Sequence, residues 1–145
     1  MKKPIFKELA FIQEADEKSV KKYISKHSLH SMVENKFIEL GNKELIKFYI
    51  SKHSLYDSSE VKLVELRDKE LIEFYISRYN FWVTAQIKLV ELRDIELIKL
   101  FISKHPLRYA AQVTLIELGD RELIKSYVSE YRLCHKAEIK LLELI

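Results

Sequence analysis

The side chains with the chemistry to hold a metal or attack an electrophile are five histidines, one cysteine and a recurrent serine. His27, His53 and His105 share one phase of a 26-residue period, and Tyr79 and Tyr131 fill that phase elsewhere. Structural zinc takes three or four convergent nitrogen, sulfur or oxygen donors. No cysteine or carboxylate recurs beside this phase. The histidine–tyrosine alternation instead predicts a flat ring within a buried helical arc, its one polar tip satisfied. His27 with His30 comes nearest to a ligand pair, and two donors do not make a site. Neither a metal nor a cofactor is expected.

Ser25, Ser51, Ser77, Ser103 and Ser129 share another phase, invariant in all five copies of the period. A nucleophile would not be copied at every period, so these hydroxyls are expected to bond back to a helical carbonyl or to allow close helix contact. Cys134 and His135 are sequence neighbours that do not face each other productively, which predicts a free surface thiol rather than a catalytic dyad. No catalytic residue is expected, and the chain reads as a non-enzyme. Lys36, Lys62, Lys88 and Lys140 form a possible phosphate-binding stripe. Each has a glutamate three residues on, so solvated ion pairing is the stronger expectation.

These residues recur because the whole chain recurs. A 26-residue unit is written five times without insertion, over 13–38, 39–64, 65–90, 91–116 and 117–142. Residues 1–12 carry half a unit, with Leu9, Phe11 and Ile12 in register. The third and fourth copies agree at 12 of 26 positions. A fixed period of this size predicts a stack of supersecondary units, none able to bury its apolar face alone. The fold class expected is all-α, a right-handed αα-superhelix of about eleven helices forming one domain over 1–145.

Each unit reads as two short helices. Asp16, Asn42, Asp68, Asp94 and Asp120 are placed to cap the first. Glu44, Glu70, Glu96 and Glu122 follow near the positive end of its dipole. Leu45, Ile46, Tyr49 and Ile50 have the spacing of a broad buried face. Glu44 and Lys47 are expected to pair on the opposite, wet arc. Lys26, Lys52, Arg78 and Lys104 stand at its carbonyl end, whereas Glu130 breaks that pattern without explanation. A short loop follows, holding Pro106 in one copy. The second helix is apolar on two arcs, with Val61 and Val64 on one and Leu63 and Leu66 on the other. It is therefore expected to lie sandwiched between neighbours. Gly41 and Gly119 suit its termination. Arg67 and Arg93 stand at the same position in the central copies, where the turn must be made without glycine.

The composition, 48% hydrophobic and 32% charged, supplies both a core and a solvated surface and argues against disorder. A net charge of +3, from 25 basic and 22 acidic residues, is too balanced to demand nucleic acid or a membrane surface. The basic start Met1-Lys2-Lys3-Pro4 runs into Ile5-Phe6-Lys7-Glu8 rather than an apolar stretch, so no export signal is expected. With no run approaching membrane-spanning length and a single cysteine, a cytoplasmic location and no membrane are expected.

Ser19 is polar where every other copy has leucine, and Lys22 and Ser126 are polar where the middle copies carry Phe48, Phe74 and Leu100, as terminal units need. Ile139, Leu141, Leu142, Leu144 and Ile145 have no following unit to pack on. Either the stack self-associates there or these residues all turn inward.

One pair of positions changes class completely between copies whose framework barely changes. It reads His30-Ser31, Tyr56-Asp57, Trp82-Val83, Arg108-Tyr109 and Cys134-His135. Interface anchors favour Trp, Tyr and Arg, so His30, Tyr56, Asp57, Trp82, Arg108, Tyr109 and His135 form a candidate partner-binding edge. The competing reading is an exposed loop free to vary, with Trp82 covering nearby apolar surface.

Paired short helices, an Asp-opened first helix and a Leu-Ile…Tyr-Ile face give this chain its resemblance to the HEAT-like α-solenoids. Within them it resembles the short-unit, leucine-rich-repeat-variant kind found in bacteria. The resemblance covers Ile5 to Ile145. The unit is longer than the usual variant repeat, has no recurrent Asn-Pro turn and has no cysteine cluster. It implies a scaffold that binds something, usually another protein, and transfers no site residues. The function expected is a non-enzymatic scaffold for an unknown protein or peptide. The alternatives are a HEAT-like grip on nucleic acid, through Trp82, Tyr109, Arg108, Arg93 and Arg67, and a self-associating assembly subunit.

Overall fold

The computed structural model describes all residues, 1–145. The first three helices are α1 (Ile5–Glu14), α2 (Glu17–Ile24) and α3 (Ser31–Leu40). Then come α4 (Lys43–Lys52), α5 (Asp57–Glu65), α6 (Lys69–Ile76) and α7 (Val83–Glu91). The series closes with α8 (Ile95–Ile102), α9 (Tyr109–Leu118), α10 (Arg121–Glu130) and α11 (His135–Leu144). The fold is all-α with eleven helices and no strand, as expected. Even-numbered helices are the first helices of the sequence period and odd-numbered ones the second.

The even helices begin where their caps stand. Backbone amides donate to Asp16 from Ser19 at 2.7 Å, to Asn42 from Leu45 at 3.2 Å and to Asp68 from Leu71 at 3.1 Å. Leu97 and Leu123 donate likewise to Asp94 and Asp120. One orphan donor of each helix start is thereby satisfied. At the other end, Ser25, Ser51, Ser103 and Ser129 donate to the carbonyls of Lys22, Phe48, Leu100 and Ser126 at 2.5–2.8 Å. The invariant serine is a helix-end hydroxyl.

The odd helices α3 and α9 end at Gly41 (φ 71°) and Gly119 (φ 77°). In the central copies Arg67 (φ 54°) and Arg93 (φ 58°) adopt the same left-handed conformation. The turn is kept and the conformational cost of a Cβ there is carried.

The chain divides into two compact units, Met1–Tyr75 and Ile76–Ile145. In the first, α1 packs on α3, α3 on α5, and α2 on α4. Its core includes Ile24, Leu29, Val33, Ile38, Ile46, Tyr49 and Ile50. In the second, α7 packs on α9 and α9 on α11, with α8 against α10. Its core is built on Phe81, Leu89, Val90, Phe101, Leu115, Ile116 and Tyr127. The Phe81 and Phe101 rings stack at 5.7 Å with their planes 10° apart, an arrangement aromatic pairs favour.

Two expectations need correction. Lys47 pairs with Glu70 of the following copy rather than with Glu44, because its neighbour across the helix layer brings a carboxylate closer than its own helix does. The recurrent histidines sit just past the helix ends and are half-buried, outside the helical arc. Two of the three polar tips are satisfied as expected: His53 Nε2 donates to the carbonyl of Ile24 and His105 Nε2 to that of Ile76, each at 2.7 Å. Tyr131 Oη donates to Ile102 in the same way at 2.7 Å. The His53 ring also lies 4.9 Å from Tyr49.

Candidate interaction edge

The edge residues stand on a buried polar framework. In the first unit Tyr23, Tyr49 and Tyr75 donate their hydroxyls to the carboxylates of Glu8, Glu34 and Glu60 at 2.5–2.6 Å. All three glutamates are buried. The other oxygen of Glu8 accepts the backbone N–H of His30 at 2.7 Å, and that of Glu34 accepts Tyr56 N–H at 2.8 Å. Each tyrosine oxygen also accepts an amide: Lys3 on Tyr23, Leu29 on Tyr49 and Leu55 on Tyr75.

The second unit does the same work with amides. Arg108 N–H donates to Gln86 Oε1 and Cys134 N–H to Gln112 Oε1, both at 2.7 Å. The amide nitrogens donate to the carbonyls of Phe81 and Leu107 at 2.9 Å. Gln112 also donates to Tyr127 Oη at 3.1 Å. Every buried donor and acceptor here has a partner, the condition under which a buried polar network is tolerated. Burial pushes the Glu34 carboxyl above its ordinary value, against the hydrogen bonds from Tyr49 and Tyr56. Burial, reinforced by Glu8, pushes the Tyr23 phenol up to about 12, and Tyr49 and Tyr75 move in the same direction.

Sequence reasoning missed this framework, because a glutamate within a helix reads as a solvated residue. The signal was present. The position is Glu or Gln in every copy (Glu34, Glu60, Gln86, Gln112 and Glu138), and a tyrosine or phenylalanine follows it by fifteen residues where the next copy is written in full.

The consequence for the edge is direct. His30, Tyr56, Trp82, Arg108 and Cys134 are the N-cap residues of α3, α5, α7, α9 and α11, and none caps with its side chain. For His30, Tyr56, Arg108 and Cys134 the buried glutamate or glutamine clamps the backbone, which leaves side-chain identity unconstrained by capping.

In the first unit, Tyr56 and Asp57 are exposed. His30 is half-buried and its Nε2 lies 3.0 Å from the carbonyl of Lys3, so the N-terminal segment engages it. In the second unit Trp82 is 56% and Tyr109 73% exposed, and the Arg108 guanidinium lies 5.9 Å from the Trp82 ring centroid. A shallow groove of about 370 Å³ runs beside Tyr109, lined by Ile87, Ala110, Val113 and Lys136. His135 is exposed at the start of α11. Cys134 is half-buried rather than at the surface, because its amide is drawn onto Gln112.

Trp82, Arg108 and Tyr109 thus belong to the starts of packed neighbouring helices. Arg93 does not join them: it stands beyond the far end of α7 from Trp82, roughly 15 Å away at the helical rise per residue. Three of the four repeated lysines are paired, Lys36 with Glu39, Lys62 with Glu39 and Glu65, and Lys140 with Glu143.

No helix is long and apolar enough to cross a membrane. No family model matches the chain, and neither a curated protein nor a solved structure does.

Proposed function

We propose that this chain is a non-enzymatic α-solenoid scaffold of the HEAT-like kind, five helix-pair repeats and a half. It binds a protein or peptide through the edge centred on Trp82, Arg108 and Tyr109. The observation that carries the reading is the Arg108 guanidinium resting at the Trp82 ring beside an exposed Tyr109. Such residues dominate binding energy when a partner desolvates them, and the guanidinium–indole contact restricts both side chains before a partner arrives. The Gln86 clamp on Arg108 N–H supports the same reading, since a fixed backbone lowers the ordering cost of binding. The periodic helix pairs, their capping aspartates and the repeated buried Glu–Tyr contact support the solenoid.

Nucleic acid is the weaker reading. The arginines assigned to it are split between opposite helix ends, and the repeated lysines are neutralised by glutamates.

The test is a peptide-display selection against the whole chain, followed by titration of the selected peptides into Trp82→Ala/Arg108→Ala. The double variant should keep its far-ultraviolet circular dichroism and lose affinity by about thirtyfold or more, the scale of two anchor residues. Equal binding to both proteins removes this edge from consideration.

A further inference from the structure

A second surface, apart from that edge, lies where α10 and α11 form a common face. Four positions there are open although their counterparts in the other copies are closed. Leu142 is 72% exposed, whereas Ile38, Val64, Val90 and Ile116 at the same place are fully buried. Val128 is 46% exposed against Ile24, Ile50, Ile76 and Ile102, none above 6%. Leu141 is half-exposed against the buried Leu63, Leu89 and Leu115. Glu138 is exposed where Glu34, Glu60, Gln86 and Gln112 are buried. Between the helices runs a groove of about 730 Å³, lined by Ile116, Ile124, Leu141, Leu144 and Ile145 and flanked by Arg121 and Lys125.

The molecule itself shows what covers such a face. In the first unit α4 packs on α2, buries Leu45, Ile46, Tyr49 and Ile50, and sends Tyr49 Oη to Glu34. In the second unit α10 packs on α8 and reaches Gln112 through Tyr127. The cover is each time an amphipathic helix with an Asp or Asn cap and a tyrosine aimed at the buried Glu or Gln.

Charge specifies it further. Lys43 Nζ of α4 lies 3.4 Å from Asp68 and 2.7 Å from Glu70 at the start of α6, and Lys47 closes on the same Glu70. The counterparts of Lys43 and Lys47 in α10 are Arg121 and Lys125, both exposed. A second copy docking through the start of α2 would offset its Asp16 and Glu17 with Lys18 and Lys22, no net charge, and would set Lys18 against these cations where Glu70 meets Lys43.

We infer that the α10–α11 face is a docking groove for an acidic-capped amphipathic helix of the pattern Asp-x-Glu-Leu-Ile-x-x-Tyr-Ile. Leu, Ile and Ile of the ligand fill the groove, its tyrosine hydroxyl donates to Glu138, and its Asp and Glu pair with Arg121 and Lys125. This is helix-in-groove recognition read by apolar anchors at helical spacing. The inference rests on the repeat reading of the fold and is independent of the Trp82 edge.

The probe is a fluorescein-labelled peptide of residues 67–79, which contains Asp68, Glu70, Leu71, Ile72, Tyr75 and Ile76, titrated into the whole chain by anisotropy. Saturable binding is expected, with loss on Val128→Asp. Arg121→Glu with Lys125→Glu should weaken it by about tenfold, the scale of interfacial charge pairs, and a peptide carrying Asp68→Lys and Glu70→Lys should recover the loss. The charge exchange involves exposed side chains only, so it decides the matter even if Val128→Asp unfolds the protein. Trp82→Ala/Arg108→Ala should leave peptide binding unchanged, which separates this inference from the proposed edge. Absence of saturable binding, or binding indifferent to the charge exchange, overturns the inference. So does sedimentation equilibrium showing a dimer that Val128→Asp abolishes and the peptide does not displace, because the face would then be covered by a second copy.

Discussion

The backbone nitrogen of Arg108 donates to Gln86 Oε1 at 2.7 Å, and Gln86 Nε2 in turn donates to the carbonyl of Phe81 at 2.9 Å. One buried side chain thus joins the interior of α7 to the exposed start of α9. The equivalent side chains in the first unit are glutamates held by tyrosine hydroxyls, as with Glu60 and Tyr75 at 2.6 Å. Where the partner position is Phe101, no hydroxyl is present and a neutral amide that supplies its own donor takes the place of the acid.

That pairing predicts a rescue. Gln86→Glu removes the donor to Phe81 and buries a carboxylate without a hydroxyl, which should cost about 1–3 kcal/mol of stability. Adding Phe101→Tyr rebuilds the Glu60–Tyr75 arrangement and should recover most of the loss in urea denaturation. A double variant no more stable than the single one disproves the pairing.

Stability should carry two opposed pH dependences in the first unit. Burial raises Glu34, so the folded chain keeps that proton at pH values where the unfolded carboxyl, near 4.5, has lost it. Its contribution is complete below about 4.5 and is lost as pH climbs through the raised folded value. Glu70 acts in the reverse sense: Lys43 first, then Lys47, hold it down to about 2. Its contribution is present above 4.5 and is lost as pH falls toward 2. Glu34→Gln should flatten the decline between pH 4.5 and 7.5 and leave the acid limb intact. Urea midpoints at pH 2.5, 4.5 and 7.5 measure both limbs, and an unchanged neutral limb would exclude Glu34 as its source.

The turns that close the odd helices should respond in opposite directions to one substitution. Arg93 holds φ 58° with a side chain that disfavours it, so Arg93→Gly should stabilise by about 0.5–1 kcal/mol, the left-handed penalty less the entropy glycine adds to the unfolded chain. Gly119→Ala places its Cβ in open space and should still cost about 1 kcal/mol from backbone conformation alone. Thermal melts of both variants check this, and a loss on Arg93→Gly would refute the conformational account.

Asn42 is the one amide among four capping aspartates and accepts from Leu45 at 3.2 Å. Asn42→Ala should cost about 1 kcal/mol. Asn42→Asp should gain about 0.3–1 kcal/mol from the helix dipole, a gain that fades in high salt. A salt-independent gain would point to the hydrogen bond instead of the dipole.

Local patterns in the sequence sufficed for much of this. The capping Asp and Asn residues, the Leu-Ile…Tyr-Ile face, the helix-end serines and the glycine-or-arginine turn are each set by interactions within a few residues, so they could be read directly. Eleven all-α elements follow from repeating that local grammar. Longer separations were not legible. Lys47 chooses Glu70 over Glu44 because a neighbouring helix brings the carboxylate closer, and helical spacing alone does not contain that distance. The buried glutamates are invisible to local pattern because the hydroxyl and amide that satisfy Glu34 lie fifteen and twenty-two residues away. His30 was placed with the exposed edge, yet the carbonyl of Lys3, 27 residues earlier, engages it.

Backbone hydrogen bonding and capping act over one turn, so the helices, their ends and the period are already written in the order of the residues. Which polar side chains face inward and which aromatic ones stay exposed follows from packing alone. Burial is a property of what packs against a helix, and the Gln86 clamp on Arg108 exists only once α7 and α9 lie side by side.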